Sequence, residues 1–265
     1  MNIIVLIKQV PEIEKVRFDY EKGRLDRSSA GAIINPFDLN ALEAAVQIKE
    51  EMGGSVTAIS MGPMQAMDAL RDALARGADR AILLSDERFA GADTLATAYT
   101  LASAIRKLGA FDLIICGEKT IDGDTGQVGP EVAEFLGIPH AAYVEEIRQM
   151  HNDRIVVGAR MERNYYVIEL SLPALITVTK DLNSPRLPTL RDKLRAMRTE
   201  VTVWGYRDLA EEDAPQYFGF EGSPTRVVRV YTPTAERRKS QLLSGAAHEV
   251  AQRIVQILRE NGVLR

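Results

Sequence analysis

Residues Ile114–Gly137 read IICGEKTIDGDTGQVGPEVAEFLG, an apolar strand running into an amphipathic helix through a connection of glycines, hydroxyls and acidic groups. A plain strand-to-helix turn needs only a few residues, and this one is about twice that length. Such length points to a ligand. Pro130 has no N–H and is tolerated only in the first turn of a helix, so the helix is expected to start near Gly126 or Gly129. The amides around Asp124 to Val128 then face the loop at the positive end of the helix dipole. Thr120 and Thr125 add hydroxyls and Gln127 a side-chain amide, which together make an anion site. Asp122 and Asp124 would repel a phosphate if they pointed inward; they are expected to cap backbone N–H groups or to accept from ribose hydroxyls. No Gly-Lys-Ser/Thr follows, and the spacing is not Gly-x-Gly-x-x-Gly. Taken alone, the stretch reads as a nucleotide phosphate loop of unspecified kind, or as an ordinary Gly/Asp-rich helix cap.

Working outward, the first half of the chain alternates strands with helices, the pattern of a parallel sheet covered on both faces. Asn2 to Ile7, Ser55 to Ser60, Arg80 to Leu84 and Asp112 to Cys116 are continuous apolar runs, as strands buried on both sides require. Leu39, Leu42 and Val46 recur at helical spacing, as do Met67, Leu70 and Leu74, and then Leu95, Tyr99, Ala102 and Ile105. Gly53-Gly54, Gly77 and Gly109 follow these helices as C-caps, and Asp93 is an N-cap. After Pro139 the period becomes two. Ala141 to Ile147, Ile155 to Met161 and Tyr165 to Leu170 read as antiparallel strands, with a turn at His151-Asn152-Asp153, and Pro173-ALITVTK follows. Ala235 to Glu260 reads as a helix with a stripe of Leu242, Ala246, Val250, Ile254 and Ile257. It docks either on a partner chain or on its own domain.

In an open parallel sheet, ligands collect beyond the carboxyl ends of the strands. Lys8 ends the first strand after Leu6 and either stays solvated or reaches a phosphate. Asn35-Pro36-Phe37-Asp38 opens the first long helix, with Asn35 as N-cap and Pro36 at N1, and the same open amides suit an adenine or ribose edge. Met61 and Gly62 close another strand. Thr94 and Thr97, after the Asp93 cap, share a polar face toward the same rim. Several such turns on one sheet edge favour an adenosine-holding crevice more than any one of them does.

Composition removes other classes. The 265 residues are 46% hydrophobic, ample for a packed core, and 33 basic against 37 acidic residues leave a net charge of -4 without a Lys/Arg block that would hold a phosphate backbone. Nucleic acid is not an expected partner. The opening MNIIVLIKQV lacks a basic flank and is too short to span a bilayer, so neither a secretion signal nor a transmembrane segment is expected. A single cysteine, Cys116, excludes an internal disulfide and fits a reducing cytoplasm. Three scattered histidines suggest no metal site.

IKQVP (7–11), NPFD (35–38), SMGP (60–63), ALARGADRAILL (73–84), DGDTGQVGP (122–130), LPALITV (172–178) and NSPRLPTL (183–190) together resemble the beta subunit of electron transfer flavoprotein, in order and over essentially the whole chain. The resemblance implies a Rossmann-like α/β fold, a mostly parallel sheet with helices on both faces, an added antiparallel strand segment and a C-terminal partner-binding extension. It divides the chain into a nucleotide-binding domain (1–182), a partner-recognition loop with an extended linker arm (183–234), and a C-terminal helix (235–265) that docks on an alpha subunit or on its own domain. By the same resemblance, a structural AMP in many members, or FAD in others, is contacted at Leu6, Asn35, Pro36, Phe37, Asp38 and Met61. The contacts continue along Gly117, Thr120, Ile121, Asp122, Gly123, Asp124, Thr125, Gly126, Gln127 and Val128.

The DGDTGQVGP loop is similar to that of the electron-bifurcating branch, in which small residues leave room for a diphosphate and FAD replaces AMP. The implied reaction takes a hydride from NADH, sending one electron to ferredoxin and the other, through the alpha-subunit FAD, to a flavin-dependent dehydrogenase. The reverse direction is equally open. The chain offers no nucleophile or acid–base pair of its own and is read as an electron-transfer subunit of an oxidoreductase complex. Leu190 matches the leucine that family members insert into a pocket of the dehydrogenase; without the resemblance it reads as a loop leucine covering its own core. The basic run Arg191 to Arg198 either steers a partner or solvates a helix. Arg163-Asn164-Tyr165-Tyr166 departs from a Gly- and Glu-containing turn of relatives. Two other readings stand beside this one: a non-bifurcating beta subunit holding AMP, and a stand-alone nucleotide-binding module.

Overall fold

The computed structural model describes residues 1–12, 17–19, 24–26, 31–209, 215–226, 228 and 242–264. Its strands are β1 (Asn2–Leu6), β2 (Gln9–Pro11), β3 (Arg17–Asp19), β4 (Arg24–Asp26), β5 (Ala32–Ile34), β6 (Ser55–Met61), β7 (Arg80–Leu84), β8 (Leu113–Gly117), β9 (His140–Met150), β10 (Arg154–Met161), β11 (Asn164–Ser171), β12 (Ala174–Val178) and β13 (Thr202–Trp204). The helices are α1 (Pro36–Met52), α2 (Met67–Ala75), α3 (Thr94–Leu108), α4 (Val128–Leu136), α5 (Leu190–Arg198), α6 (Tyr206–Leu209) and α7 (Ala247–Glu260). Residues 1–226 form one compact unit and 227–265 a second.

Nine strands build the main sheet in the order β11-β10-β9-β12-β8-β1-β6-β7-β13. From β9 to β13 every pairing is parallel, while β10 is antiparallel to β9 and β11 to β10. The segment Ala141 to Ile147 is therefore antiparallel on one edge only, since its other edge pairs parallel with β12. Two short antiparallel ladders, β2 with β5 and β3 with β4, lie apart from it. The chain leaves β1 toward β6 and β7, then returns to the other side of β1 as β8. That reversal is a topological switch point, where the connections diverge and leave a crevice.

Alternation along each strand divides the core in two. Ile3 and Val5 of β1 pack with Leu42 and Val46 of α1 and Leu70 and Leu74 of α2. Ile4 and Leu6 point the other way, among Leu101 and Ile105 of α3 and Val132 of α4. A strand buried on both faces must be apolar at every position, which is why NIIVL and LIICG carry no period-two polar residue.

The helix ends follow local chemistry. Asp93 accepts from the Ala96 amide and caps α3. Gly53 and Gly109 close α1 and α3 at positive φ, whereas α2 ends on Arg76 and Gly77 takes the positive φ one residue later. The His151–Asp153 turn closes the β9–β10 hairpin, with His151 N–H donating to the Arg154 carbonyl. Residues 183–209, within the partner-recognition loop and linker arm that the resemblance implies, supply helix α5, packed on α2, and the edge strand β13, paired with β7. Ala196 of α5 joins the core and makes this packing possible.

Helix α7 begins only at Ala247; Gly245 at φ 140° precedes it and excludes a continuous helix from Leu242. The portion of the expected helix at 235–241, and most of the stretch before it, lie outside the described residues. None of the α7 side chains is buried. Among the described residues no helix is long and apolar enough to cross a membrane, and no cluster of metal-ligating side chains occurs.

Candidate functional site

A cavity of about 380 Å³ opens at the carboxyl ends of β1 and β8, at the switch point of the sheet. Its floor is formed by Leu6, Ile7 and Lys8 on one strand and Cys116 and Gly117 on the other. One wall is the loop into α4, with Thr120, Gly123, Thr125, Gly126, Gln127 and Val128; the facing wall is the start of α3, with Thr94 and Thr97, and Met61 closes the end of β6. The ends of β1, β6 and β8 and the starts of α3 and α4 meet at this cavity.

Helix α4 starts at Val128, with Pro130 in its first turn as expected. The N-cap Gln127 makes no side-chain capping bond, and the first-turn N–H groups of a helix have no partner within it. These amides, the Thr125 hydroxyl and the Gln127 amide form the donor set of the loop wall. Gly129 lies inside the turn: a Cβ there would sit 2.6 Å from Thr177 Cγ2 and 2.9 Å from Cys116 Sγ, so only glycine lets α4 approach the sheet this closely. Gly117 is equally constrained, since its Cβ would lie 2.5 Å from Asp38 Oδ1 and 2.6 Å from Phe37 Cβ.

The acidic residues of the loop are turned into ion pairs. Lys8 Nζ pairs with Asp122 at 2.8 Å, and Lys119 Nζ pairs with Asp124 at 2.8 Å. Burial works against the Asp122 charge, but Lys8 and the Thr120 hydroxyl hold its carboxyl below the usual range. The Asp124 hydrogen bond and charge raise Lys119. Asp124 takes φ 54°, which its short side chain tolerates, and donates its N–H to the Thr120 carbonyl. The Gly123 N–H donates to the Thr120 hydroxyl at 3.4 Å. Asp122 and Asp124 thus lie outside the cavity lining, as do Asn35, Pro36, Phe37, Gly62 and Ile121.

Several of those residues act from behind. Asn35 is completely buried, and although it occupies the N-cap of α1 it makes no capping bond. Its amide instead donates to the Lys119 carbonyl at 2.9 Å, while its oxygen accepts from the Ile121 N–H at 3.2 Å. The helix start expected of a capping asparagine therefore became a bracket for the backbone of the β8–α4 loop, because Pro36 supplies the helical φ without help and the loop offered otherwise unpaired groups. Phe37 lies under Lys119, with Nζ 6.0 Å from the ring centroid. Gly62 donates to the Leu84 carbonyl.

Asp38 is the buried centre of the floor. Its carboxylate accepts from Lys8 N–H at 2.8 Å and from Gly117 N–H at 3.0 Å, tying the ends of β1 and β8 together. Burial pushes its pKa from 3.8 up to about 7, against those hydrogen bonds and the Lys8 charge. Burial, with Asp38 second, also drives the Cys116 thiol far up, so it is no nucleophile.

Further groups lie in the lining or beside it. Glu118 and Lys119 belong to the quoted loop, and burial raises the Glu118 carboxyl above the usual glutamate range. Thr94 donates to Glu131 Oε1 at 3.2 Å; burial raises Glu131, and among the described residues its other oxygen is buried without a hydrogen-bond partner. Tyr143, at a bulge with φ 58°, comes within reach of Gly126 across the sheet. Only the β9 register brings it there, so no local sequence signal marks it.

Leu190 is the first residue of α5, 74% exposed, and covers no core. Thr189 and Asp192 form a capping box around it. Leu194 and Met197, at helical spacing from Leu190, are exposed as well. The basic residues of the run Arg191 to Arg198 flank this apolar stripe.

The family model for the electron transfer flavoprotein domain matches residues 22–209. Over its full length the chain is 46% identical to electron transfer flavoprotein subunit beta of Thermoanaerobacterium thermosaccharolyticum, covering all of both chains. It is 41% identical over 265 residues to the caffeyl-CoA reductase-Etf complex subunit CarD of Acetobacterium woodii, again covering both completely. It is 44% identical over 249 residues to protein FixA of Azorhizobium caulinodans, with 92% of this chain and 88% of that one covered. A crevice at the switch point, floored by glycine and a buried aspartate and walled by a helix start, agrees with these likenesses: the chain belongs to the electron transfer flavoprotein family, as a beta subunit.

Proposed function

We propose that this chain works beside an alpha subunit, holds FAD in the cup between β1 and β8, and takes reducing equivalents from NADH. It divides them between ferredoxin, as low-potential acceptor, and a flavin-dependent dehydrogenase reached through the alpha subunit. The observation that carries this reading is the loop wall of the cavity, where the α4 amides, Thr125 and Gln127 stand over a glycine floor with the loop carboxylates already paired to lysines. Such a wall suits the diphosphate of a dinucleotide. The cavity volume lies within the range of small-molecule sites. The likeness to the CarD subunit of a caffeyl-CoA reductase-Etf complex supports work within such a complex and favours a CoA-ester reductase as the partner.

Bound there, a flavin supplies the hydride and one-electron chemistry that protein side chains lack. The chain's own part is positioning. Asn35 and Asp38 fix the loop and the floor, Thr125 and Gln127 donate toward phosphate oxygens, and Thr94 and Thr97 offer hydroxyls from the opposite wall. Leu190 and the exposed residues after it are the surface for the dehydrogenase.

Flavin stoichiometry tests the proposal. The heterodimer, co-expressed and purified without oxygen, is expected to carry two FAD, and a stepwise NADH titration is expected to reduce both. One FAD together with AMP would overturn the bifurcating reading in favour of a structural nucleotide. Thr125→Val should weaken the beta-site flavin by about 1.5–3 kcal/mol, the worth of a hydrogen bond to a charged group.

A further inference from the structure

Behind Leu190 the arm is fastened to α1 far more firmly than a surface segment requires. Asn40, itself buried, donates to the Asn183 carbonyl at 2.7 Å, and Asn183 returns a bond to the Asn40 carbonyl at 3.0 Å. Three residues on, every polar group of Arg186 is engaged. Its guanidinium meets Glu43 at 2.8 and 3.1 Å and Glu50 at 2.6 and 3.0 Å. Its N–H donates to Glu43 Oε2 at 3.0 Å, and its carbonyl accepts from Arg76 Nη1 at 2.7 Å. Pro185 and Pro188 restrict φ on either side.

Yet the residues this grip holds in place are apolar and left in water. Leu187 is 84% exposed and Leu190 74%. A loop that served only its own domain would turn these side chains inward. One that docks gains affinity when its anchors are ordered beforehand, because less conformational entropy is lost on association.

We infer that Arg186 is a positioning residue for partner docking: held in a double fork by Glu43 and Glu50 of α1, it sets where Leu187 and Leu190 stand. The inference rests on the proposal that Leu190 engages the dehydrogenase. Lysine cannot replace the fork, since a single ammonium does not span two carboxylates bidentately.

The test uses the full heterodimer, reduced with NADH, and an acyl-CoA dehydrogenase as the probe partner. Leu190→Ala and Arg186→Met are each expected to raise KM for the dehydrogenase about tenfold with kcat and flavin content unchanged, and Arg186→Lys to fall between. The double variant Arg186→Met/Leu190→Ala should add little to Leu190→Ala alone, which a generally loosened fold would not reproduce. Should Arg186→Met fold poorly, Glu50→Gln cuts one arm of the fork while Glu43 stays paired, and the same non-additivity with Leu190→Ala is expected. Amide exchange at 187–198 should quicken in the fork variants and not in Leu190→Ala. A raised KM for Leu190→Ala with the fork variants unchanged or fully additive overturns this inference alone. An unchanged KM for Leu190→Ala overturns the docking proposal and the inference with it.

Discussion

Helix α1 carries two carboxylates of almost equal burial and opposite electrostatics, Asp38 in its first turn and Glu43 near its middle. Asp38, 4% exposed, lies at the cavity and is met by backbone N–H groups and an amide; its pKa rises to about 7. Glu43, 5% exposed, lies near the middle of the helix and faces Arg186 of the arm. Burial pulls it the same way, but the Arg186 fork reverses the balance and holds it below the ordinary glutamate value. Burial therefore does not decide the charge of a side chain here; the presence of a full counter-charge does. The cup is built with a carboxyl poised near neutrality, and the arm with one that stays ionised and rigid.

The largest expected effect tests the Asp38 end. A group whose pKa is raised on folding contributes stability in acid, and that contribution is lost as pH rises through the folded value. For Asp38 the window runs from 3.8 to about 7, and the change across it is on the order of 4 kcal/mol. Thermal melts of wild type and Asp38→Asn should therefore diverge with pH, the wild type gaining relative to the variant as pH is lowered from 8 toward 5. Parallel curves would show that Asp38 is ionised throughout and would remove the contrast. Glu43 has the opposite sign: its stabilisation is present at neutral pH and disappears only in acid, below the ordinary glutamate value.

Next in size is the Glu43–Arg186 contact. Arg186→Met strands a buried Glu43 charge and should cost about 3 kcal/mol in urea unfolding at pH 7. The loss should shrink as Glu43 is protonated at low pH. A loss below about 1 kcal/mol would mean that the fork behaves as an exposed pair.

Gly117→Ala presses a methyl against Asp38 and Phe37 and should cost about 1–3 kcal/mol while displacing nucleotide, read as flavin content. Unchanged stability would imply that the floor gives way, and that Asp38 is not held as tightly as its two hydrogen bonds indicate. The smallest effect belongs to the exposed pairs at the mouth. Asp122→Asn should change stability by less than about 1 kcal/mol, since the Lys8–Asp122 pair is largely solvated. Its effect on nucleotide affinity should be larger and salt-dependent, because it frees Lys8.

The layers of this protein differ in how openly its residues declare them. The central strands, the helices on both faces, the start of α4 and the Asp93 cap follow from unbroken apolar runs, 3.6-residue stripes and a proline's missing N–H, all of them local. The edge strand β13 was hidden in the stretch after Asn183, and helix α5 stood there only as one of two readings of the basic run Arg191 to Arg198. TVW is too short to carry a period, and α5 buries only Ala196. Asn35 shows the same limit in one residue. Its type and place predict a cap, and only the loop folded back over it diverts the side chain to Lys119 and Ile121.

What the sequence by itself determined is the alternation of strand and helix, the start of α4 and the family, because each rests on residues within a few positions of one another or on motifs read in order. What the tertiary structure alone decided is which carboxylates are charged. Lys8 and Asp122 lie 114 residues apart, and Glu43 and Arg186 lie 143 apart. A pKa depends on burial and on the nearest opposite charge, and neither exists until the sheet has brought such distant residues within about 3 Å.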